Sequence, residues 1–210
     1  VSNRYKLQIC KNPNLEILKL AIVKYNAGNI RSVIFALERL GIEPILTDNP
    51  DELKSADKVI FPGVGEASST MRYLKERKLD EVIRELKQPT FGICLGQQLM
   101  CKHSEEGNTD CLGIFDIAVK KFVGTEKIPH IGWNNIVDLK TPLFKHVSES
   151  DYTYFVHSFY AEQSEFTIAT TDYILPFSAA LHRDNFYATQ FHPEKSGDVG
   201  AKILQGFLEI

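Results

Sequence analysis

The sequence carries no surplus of charge of one sign, little sulfur and no long apolar run, and each shortage removes a class of function. Lysine and arginine number 24 against 27 aspartates and glutamates, a formal net charge of −3. Composition therefore offers no basic surface for nucleic acid. The four cysteines, Cys10, Cys94, Cys101 and Cys111, are too few and too irregular for a disulfide framework in 210 residues, and reduced thiols are expected. No apolar run approaches a membrane span, and the opening VSNRYKLQIC lacks the apolar core and cleavage site of a secretory leader. A cytoplasmic location with no membrane partner is the expectation. No two histidines have the HExxH spacing of a zinc hydrolase, so neither a metal nor another cofactor is expected.

What is present suits one folded domain. Hydrophobic residues make up 43% and charged residues 24% of the chain, which is ordinary for a globular protein with a sizeable core. Residues 20–23 read as a buried strand, 26–29 as a turn, and Ile30, Val33, Ile34, Leu37 and Leu40 as one face of a helix that Gly41 ends. The pattern recurs: strand at 43–46, short helix at 51–56, strand at 58–61, one or two helices over 71–86, strand at 89–94, and a helix from about Gln97. Alternation of this kind predicts an α/β fold, a mostly parallel sheet with helices on both faces. Beyond Gly113 the texture is β-rich, with strands expected at 115–122, 133–139, 152–158, 166–171, 178–182 and 185–191 before a last amphipathic helix.

The stretch Gly92-Ile93-Cys94-Leu95-Gly96 lies between a strand and a helix. Gly-x-Cys-x-Gly in that setting is the pattern of a nucleophile elbow with cysteine in place of serine. A sharp strand-to-helix turn crowds the backbone, so residues without a Cβ are needed beside the nucleophile. A free cysteine is commonly a small buried hydrophobe instead, and the stretch alone is compatible with either role. Cys101, around two helical turns further on, is read as packing.

A nucleophilic thiol needs a base and the base an orienting group. Phe191-His192-Pro193-Glu194 supplies both. Pro193 pushes His192 towards an extended conformation, and residues two apart in an extended segment point to one side. Glu194 can then fix the His192 tautomer, and a Cys94-His192-Glu194 triad follows. The Leu95 N–H, immediately after the nucleophile, is one donor for a developing oxyanion, and Pro62-Gly63-Val64-Gly65 offers a second from a neighbouring strand.

Gly92-Ile93-Cys94-Leu95-Gly96-Gln97-Gln98 together with Phe191-His192-Pro193-Glu194 resembles the paired motifs of the class I (triad) glutamine amidotransferases, in the same order. The resemblance covers the chain from about Leu20 to its end. Tyr25-Asn26-Ala27-Gly28-Asn29-Ile30-Arg31-Ser32, Pro62-Gly63-Val64-Gly65, Pro129-His130-Ile131-Gly132-Trp133-Asn134, Tyr154-Phe155-Val156-His157-Ser158 and His192-Pro193-Glu194-Lys195-Ser196 narrow it to glutaminase subunits that feed a histidine-biosynthesis cyclase.

That resemblance implies a flavodoxin-like fold, glutamine as substrate, and a heterodimer with a separate (β/α)8-barrel cyclase, for which this chain has no room. It assigns Cys94, His192 and Glu194 to amide hydrolysis and Leu95, Gly63 and Val64 to the oxyanion hole. Gln98, His157, Ser158 and Phe159 are assigned to glutamine, and Asn29, Trp133, Asn134, Tyr154 and Lys195 to the partner interface or ammonia gate. It also implies that the PGVG peptide reorganises when the cyclase binds nucleotide, so the chain by itself should have low activity. Lys24 and Asn26 stand where the family more often has an acidic residue and a glycine, and Phe159 where a tyrosine is usual. Residues 1–19 have no counterpart and are read as an N-terminal extension of unknown role, with 20–210 as the amidotransferase domain. Glutaminase subunits of other class I amidotransferases and stand-alone cysteine hydrolases use the same triad; the HIGWN and YNAGNIRS stretches weigh against other amidotransferases.

Overall fold

The computed structural model describes residues 18–25 and 30–210, so residues 1–17, most of the expected extension, and the turn 26–29 lie outside the described residues. The first half alternates as expected: β1 (Leu20–Val23), α1 (Ile30–Arg39), β2 (Ile45–Thr47), α2 (Pro50–Ser55), β3 (Lys58–Gly63), α3 (Ala67–Glu76), α4 (Leu79–Glu85), β4 (Thr90–Cys94) and α5 (Leu95–Met100). The second half carries β5 (Cys101–Ser104), β6 (Thr109–Asp110), β7 (Phe115–Lys121), β8 (His130–Asn135), β9 (Tyr152–His157), β10 (Phe159–Ala161), β11 (Thr167–Tyr173), β12 (Leu175–Arg183) and β13 (Phe186–Thr189), and closes with α6 (Gly197–Leu208).

Local chemistry sets the helix ends. Gly41 at φ +81° lets the Gly41 and Ile42 N–H groups return to the carbonyls of Glu38 and Leu37, closing α1. At the start of α2, Asn49 Oδ1 accepts from the Asp51 N–H at 2.8 Å and Pro50 takes the first turn, where a missing N–H costs nothing.

Seven strands form the main sheet in the order β11-β12-β13-β4-β3-β1-β2. Neighbours from β2 through β13 run parallel, and β11 and β12 extend the sheet by antiparallel pairing. Side chains alternate across it. Ala21, Val23, Val59 and Phe61 join a core with α2 to α5, while Leu20, Ile22, Ile60, Phe91 and Ile93 join another with α1 and α6. A four-stranded sheet, β10-β7-β5-β6, and the β8–β9 hairpin complete the fold. Among the described residues no helix is long and apolar enough to cross a membrane.

Three expectations need correction. The helix after Cys94 begins at Leu95 rather than near Gln97 and is six residues long; Cys101 therefore opens β5, buried, with its thiol directed at the Gln97 carbonyl. The strand expected at 133–139 lies at His130–Asn135, because it pairs with β9 from His130↔His157 to Asn135↔Tyr152, while Val137 bridges to Thr170 instead. The short strands β5, β6 and β10 were not anticipated.

Candidate active site

Parallel sheets bind ligands beyond the carboxyl ends of their strands, and β3, β4 and β13 end together here. Gly63 of β3 pairs with Cys94 of β4, and Thr189 of β13 pairs with Ile93. Cys94 caps α5 at φ +54°, ψ −108°, a region that costs a non-glycine residue about 1–3 kcal/mol. Its flanking glycines relieve the crowding of that turn. A Cβ on Gly96 would overlap the Phe61 carbonyl, and one on Gly92 would lie 2.8 Å from Met100 Sδ.

His192 follows β13 and so arrives beside Cys94. Its backbone N–H donates to the Tyr154 carbonyl at 2.9 Å, and Ser196 Oγ donates to its carbonyl at 2.6 Å. The His192 backbone is extended, as expected, but Pro193–Lys195 forms a 3-10 turn. Glu194 is thus folded back, and its Oε1 accepts from His192 Nδ1 at 2.8 Å, with the two side chains 2% and 1% exposed. A carboxylate can only accept here, so Nδ1 carries a proton and Nε2 is the nitrogen that exchanges a proton with the site. Among the described residues His192 Nε2 has no hydrogen-bond partner. Burial opposes charge on this imidazole, but the Cys94 sulfur and the Glu194 carboxylate outweigh it and push the ring up to about 10.

A cavity of about 440 Å³ opens over the thiol. It gathers most of the expected site: Cys94, Leu95, Val64, Gln98, His157, Ser158, Phe159, His192 and Lys195 all line it. Gly63 and Glu194 lie behind, against a second, much smaller cavity that also touches His192. The end of β3 is anchored there by Tyr25, whose hydroxyl donates to the Pro62 carbonyl; burial, with Cys94 nearby, drives that phenol well above its ordinary range.

Other expected residues sit elsewhere. Trp133 and Tyr154 pair across the β8–β9 hairpin with ring centroids 5.9 Å apart, and Trp133 is 56% exposed. Lys195 Nζ lies 6.0 Å from the Tyr154 ring, linking hairpin and cavity. Asn134 turns inward, donating to the Asp172 carbonyl at 3.0 Å. Asn29 lies outside the described residues. Among the described residues no cluster of histidine, cysteine and carboxylate side chains could hold a metal ion.

The structure adds residues that motif reading missed. Glu106, in the β5–β6 turn, lines the cavity and accepts the Ala67 N–H at 2.7 Å. Burial raises its carboxyl above the usual range against that hydrogen bond, and Glu66 adds to the rise. Nothing in Ser104-Glu105-Glu106-Gly107 marks this carboxylate, since a contact 39 residues away in the chain places it. Gln190 Nε2 donates to Cys94 Sγ at 3.6 Å; its nearness to His192 was the available signal.

A buried base held by a carboxylate, beside a cysteine on a strained elbow, is the constellation of a cysteine-dependent acyl transferase or hydrolase. Comparison with known proteins gives the class. The family model for glutamine amidotransferase class-I matches residues 21–210, and the chain belongs to that family. Its relatives are more specific still: a Bacteroides fragilis protein named imidazole glycerol phosphate synthase subunit HisH is 62% identical over 92% of this chain and 100% of its own length. A Vibrio parahaemolyticus protein of the same name is 43% identical over 91% and 98%. Among solved structures, a glutamine amidotransferase from Thermotoga maritima superposes with a TM-score of 0.63 at 15% identity, covering 93% of this chain and 84% of that one. At that identity the likeness is one of fold.

Proposed function

We propose that the chain is the glutaminase subunit of imidazole glycerol phosphate synthase and hydrolyses glutamine to glutamate and ammonia through a thioester on Cys94. The observation that carries the reading is the buried His192 ring, held through Nδ1 by Glu194 and lining the same cavity as the elbow cysteine, whose sulfur raises its pKa.

The raised pKa of His192 places the Cys94 proton on its Nε2 before attack, and the thiolate sulfur attacks the side-chain amide carbon. The Leu95 N–H and the Gly63-Val64 peptide are assigned to the oxyanion. Collapse breaks the C–N bond, and His192 returns the proton to the leaving nitrogen as ammonia. Water then attacks the γ-glutamyl thioester with His192 as base, releasing glutamate and restoring the thiol. Gln98, His157, Ser158 and Phe159 position the substrate, and the Glu106 carboxylate suits its α-ammonium group.

Ammonia passes to a separate (β/α)8-barrel cyclase, docked on the face that carries Trp133, Tyr154 and Lys195. Residues 20–210 form the amidotransferase domain, preceded by an extension, and the enzyme works in the cytoplasm. The test is glutamate release by the purified chain with and without the barrel cyclase and its nucleotide ligand. Low activity alone and a marked rise with both are expected, and Cys94→Ala should abolish glutamine-dependent turnover while sparing the ammonia-dependent reaction. Strong hydrolysis indifferent to the cyclase would favour a stand-alone cysteine hydrolase.

A further inference from the structure

Cys94 is 7% exposed, so a charge on its sulfur meets little water, and a buried ion without hydrogen-bond donors is costly. Among the described residues His192 Nε2 makes no hydrogen bond. The side chain that does donate to the sulfur is Gln190, whose Nε2 lies 3.6 Å from Cys94 Sγ and which is itself fully buried.

The direction of that bond follows from one fixed acceptor. The Phe159 carbonyl can only accept. Gln98 Nε2 lies 3.0 Å from it, so the nitrogen end of that amide faces the carbonyl. The same nitrogen lies 2.9 Å from the Gln190 amide, whose facing atom must then be Oε1. Gln190 therefore turns Nε2 to the sulfur. Turning Gln190 alone would set nitrogen against nitrogen, and turning both amides would set the Gln98 oxygen against the Phe159 oxygen.

The titratable groups around the sulfur are His192, His157, Glu106 and Lys195 at the cavity, with Tyr25 and Glu194 behind it. The Gln190 amide does not titrate, so it donates at every stage of a reaction in which His192 gains and gives up a proton. Gln190 lines neither the main cavity nor the smaller one, and its contact is with the nucleophile rather than with a ligand.

We propose that Gln190 is a further catalytic residue: its Nε2–H stabilises the negative charge on Cys94 Sγ before attack and again when the thioester breaks, and Gln98 holds the amide the right way round. The role in turnover rests on the glutaminase reading, whereas the donation to sulfur does not. On attack, the sulfur electron pair forms the S–C bond and the charge leaves the sulfur. On hydrolysis, water oxygen bonds to the carbonyl carbon, its proton goes to His192, and the C–S bond breaks with its electron pair returning to sulfur. Charge thus develops beside the Gln190 N–H as the acyl group departs, where a fixed dipole needs no reorganisation.

Gln190→Met nearly keeps the length of the side chain and removes the N–H. Thr189→Val is the control: it removes a neighbouring buried hydrogen bond, from Thr189 Oγ1 to the Phe191 carbonyl at 3.2 Å, without touching the sulfur. In the free chain, the rate of Cys94 alkylation by iodoacetamide, followed against pH by mass spectrometry of the Cys94 peptide, reports the Cys94-His192 pair. In Gln190→Met this profile should move alkaline by about one pH unit and its plateau should rise about threefold, since a less stabilised thiolate is the stronger nucleophile. Thr189→Val should match wild type in both. In the complex with the cyclase, Gln190→Met should lower kcat for glutamine about tenfold with KM within about twofold.

An unmoved alkylation profile, one that moves equally in Thr189→Val, or a loss confined to KM would each overturn the proposal. The wild type supplies a measurement that does not depend on the folding of Gln190→Met: the Gln190 side-chain amide proton resonances should follow the ionisation of the pair and stay still over the same pH range in Cys94→Ala. Resonances that ignore that ionisation would overturn it too. A wild-type complex that releases no glutamate would overturn the glutaminase reading instead, and the alkylation profile, taken without substrate, would still decide whether Gln190 donates to the sulfur.

Discussion

Glu194 reaches His192 Nδ1 at 2.8 Å only because a 3-10 turn folds it back over the preceding residue. The contact is buried, and Glu194 Oε2 has no hydrogen-bond partner among the described residues, so holding the ring is the role the structure gives this carboxylate. Glu194→Gln should lower kcat for glutamine by about 10²–10⁴-fold, the usual worth of a correctly poised base. KM should change far less, because Glu194 does not line the substrate cavity. Steady-state glutamate release in the presence of the cyclase measures both, and a kcat within a few-fold of wild type would remove Glu194 from the triad.

Histidine burial also sets how stability follows pH, with two limbs of opposite sign. The folded pKa of His192 is raised from 6.5 to about 10, so its contribution is complete below pH 6.5 and is lost as pH rises towards 10. His130 and His157 are lowered to about 4 and about 3; the unfolded chain binds those protons first, and stability is lost as pH falls below 6.5. Each group gives a slope of about 1.4 kcal/mol per pH unit within its window. Urea unfolding from pH 4 to 10 should show a maximum between the limbs. Cys94→Ala, which removes the larger of the two raising partners of His192, should flatten the alkaline limb more than Glu194→Gln, and His157→Asn should flatten the acid limb.

Glu106 gives a complementary prediction at the other end of the cavity. Replacing one charged partner of a buried ammonium costs about 1.5–3 kcal/mol, so Glu106→Gln should raise the KM for glutamine by about 10–100-fold. The neutral amide still accepts the Ala67 N–H, so α3 should stay in place. A KM that does not move would place the α-ammonium elsewhere.

The parts of this fold legible from the chain are those governed by local rules. Short apolar runs located β1 and β3 and a 3.6-residue period located α1, and Gly-x-Cys-x-Gly located the elbow, because a crowded turn demands particular residues at particular spacings. The six-residue α5 and the strands β5, β6 and β10 were not legible, being too short to show a period and defined by pairing partners far away in the chain. Glu106 escaped for the same reason. The Cys94-His192-Glu194 arrangement was anticipated, but its geometry was not: an extended segment was expected where the chain makes a 3-10 turn.

The elbow glycines should be intolerant for a reason independent of catalysis. A Cβ on Gly96 collides with the Phe61 carbonyl of β3, a backbone atom that cannot rotate away. Gly96→Ala should therefore destabilise the fold by about 2–3 kcal/mol through forced separation of α5 from β3. Gly41→Ala meets no atom of the described residues within 4 Å and has only its φ of +81° against it, so it should cost about 1 kcal/mol. Thermal or urea unfolding ranks the two, and equal losses would mean that close approach is not what Gly96 provides.

Trp133 tests the docking face. On β8 the outward side chains Ile131 and Trp133 are 52% and 56% exposed, and Tyr152 on β9 is 57% exposed, while His130 and Asn134 turn inward. Large exposed aromatics of this kind anchor interfaces. Trp133→Ala should weaken binding to the barrel cyclase by about 10–100-fold, the range of an aromatic interface anchor. Because Trp133 does not line the cavity, Cys94 in the free variant should react with a small alkylating agent at the wild-type rate. Calorimetric titration against the cyclase, beside an alkylation time course, reads the two effects separately. Unchanged affinity would move the docking face off this hairpin, whereas a slowed thiol in the free chain would make Trp133 part of the site's own framework.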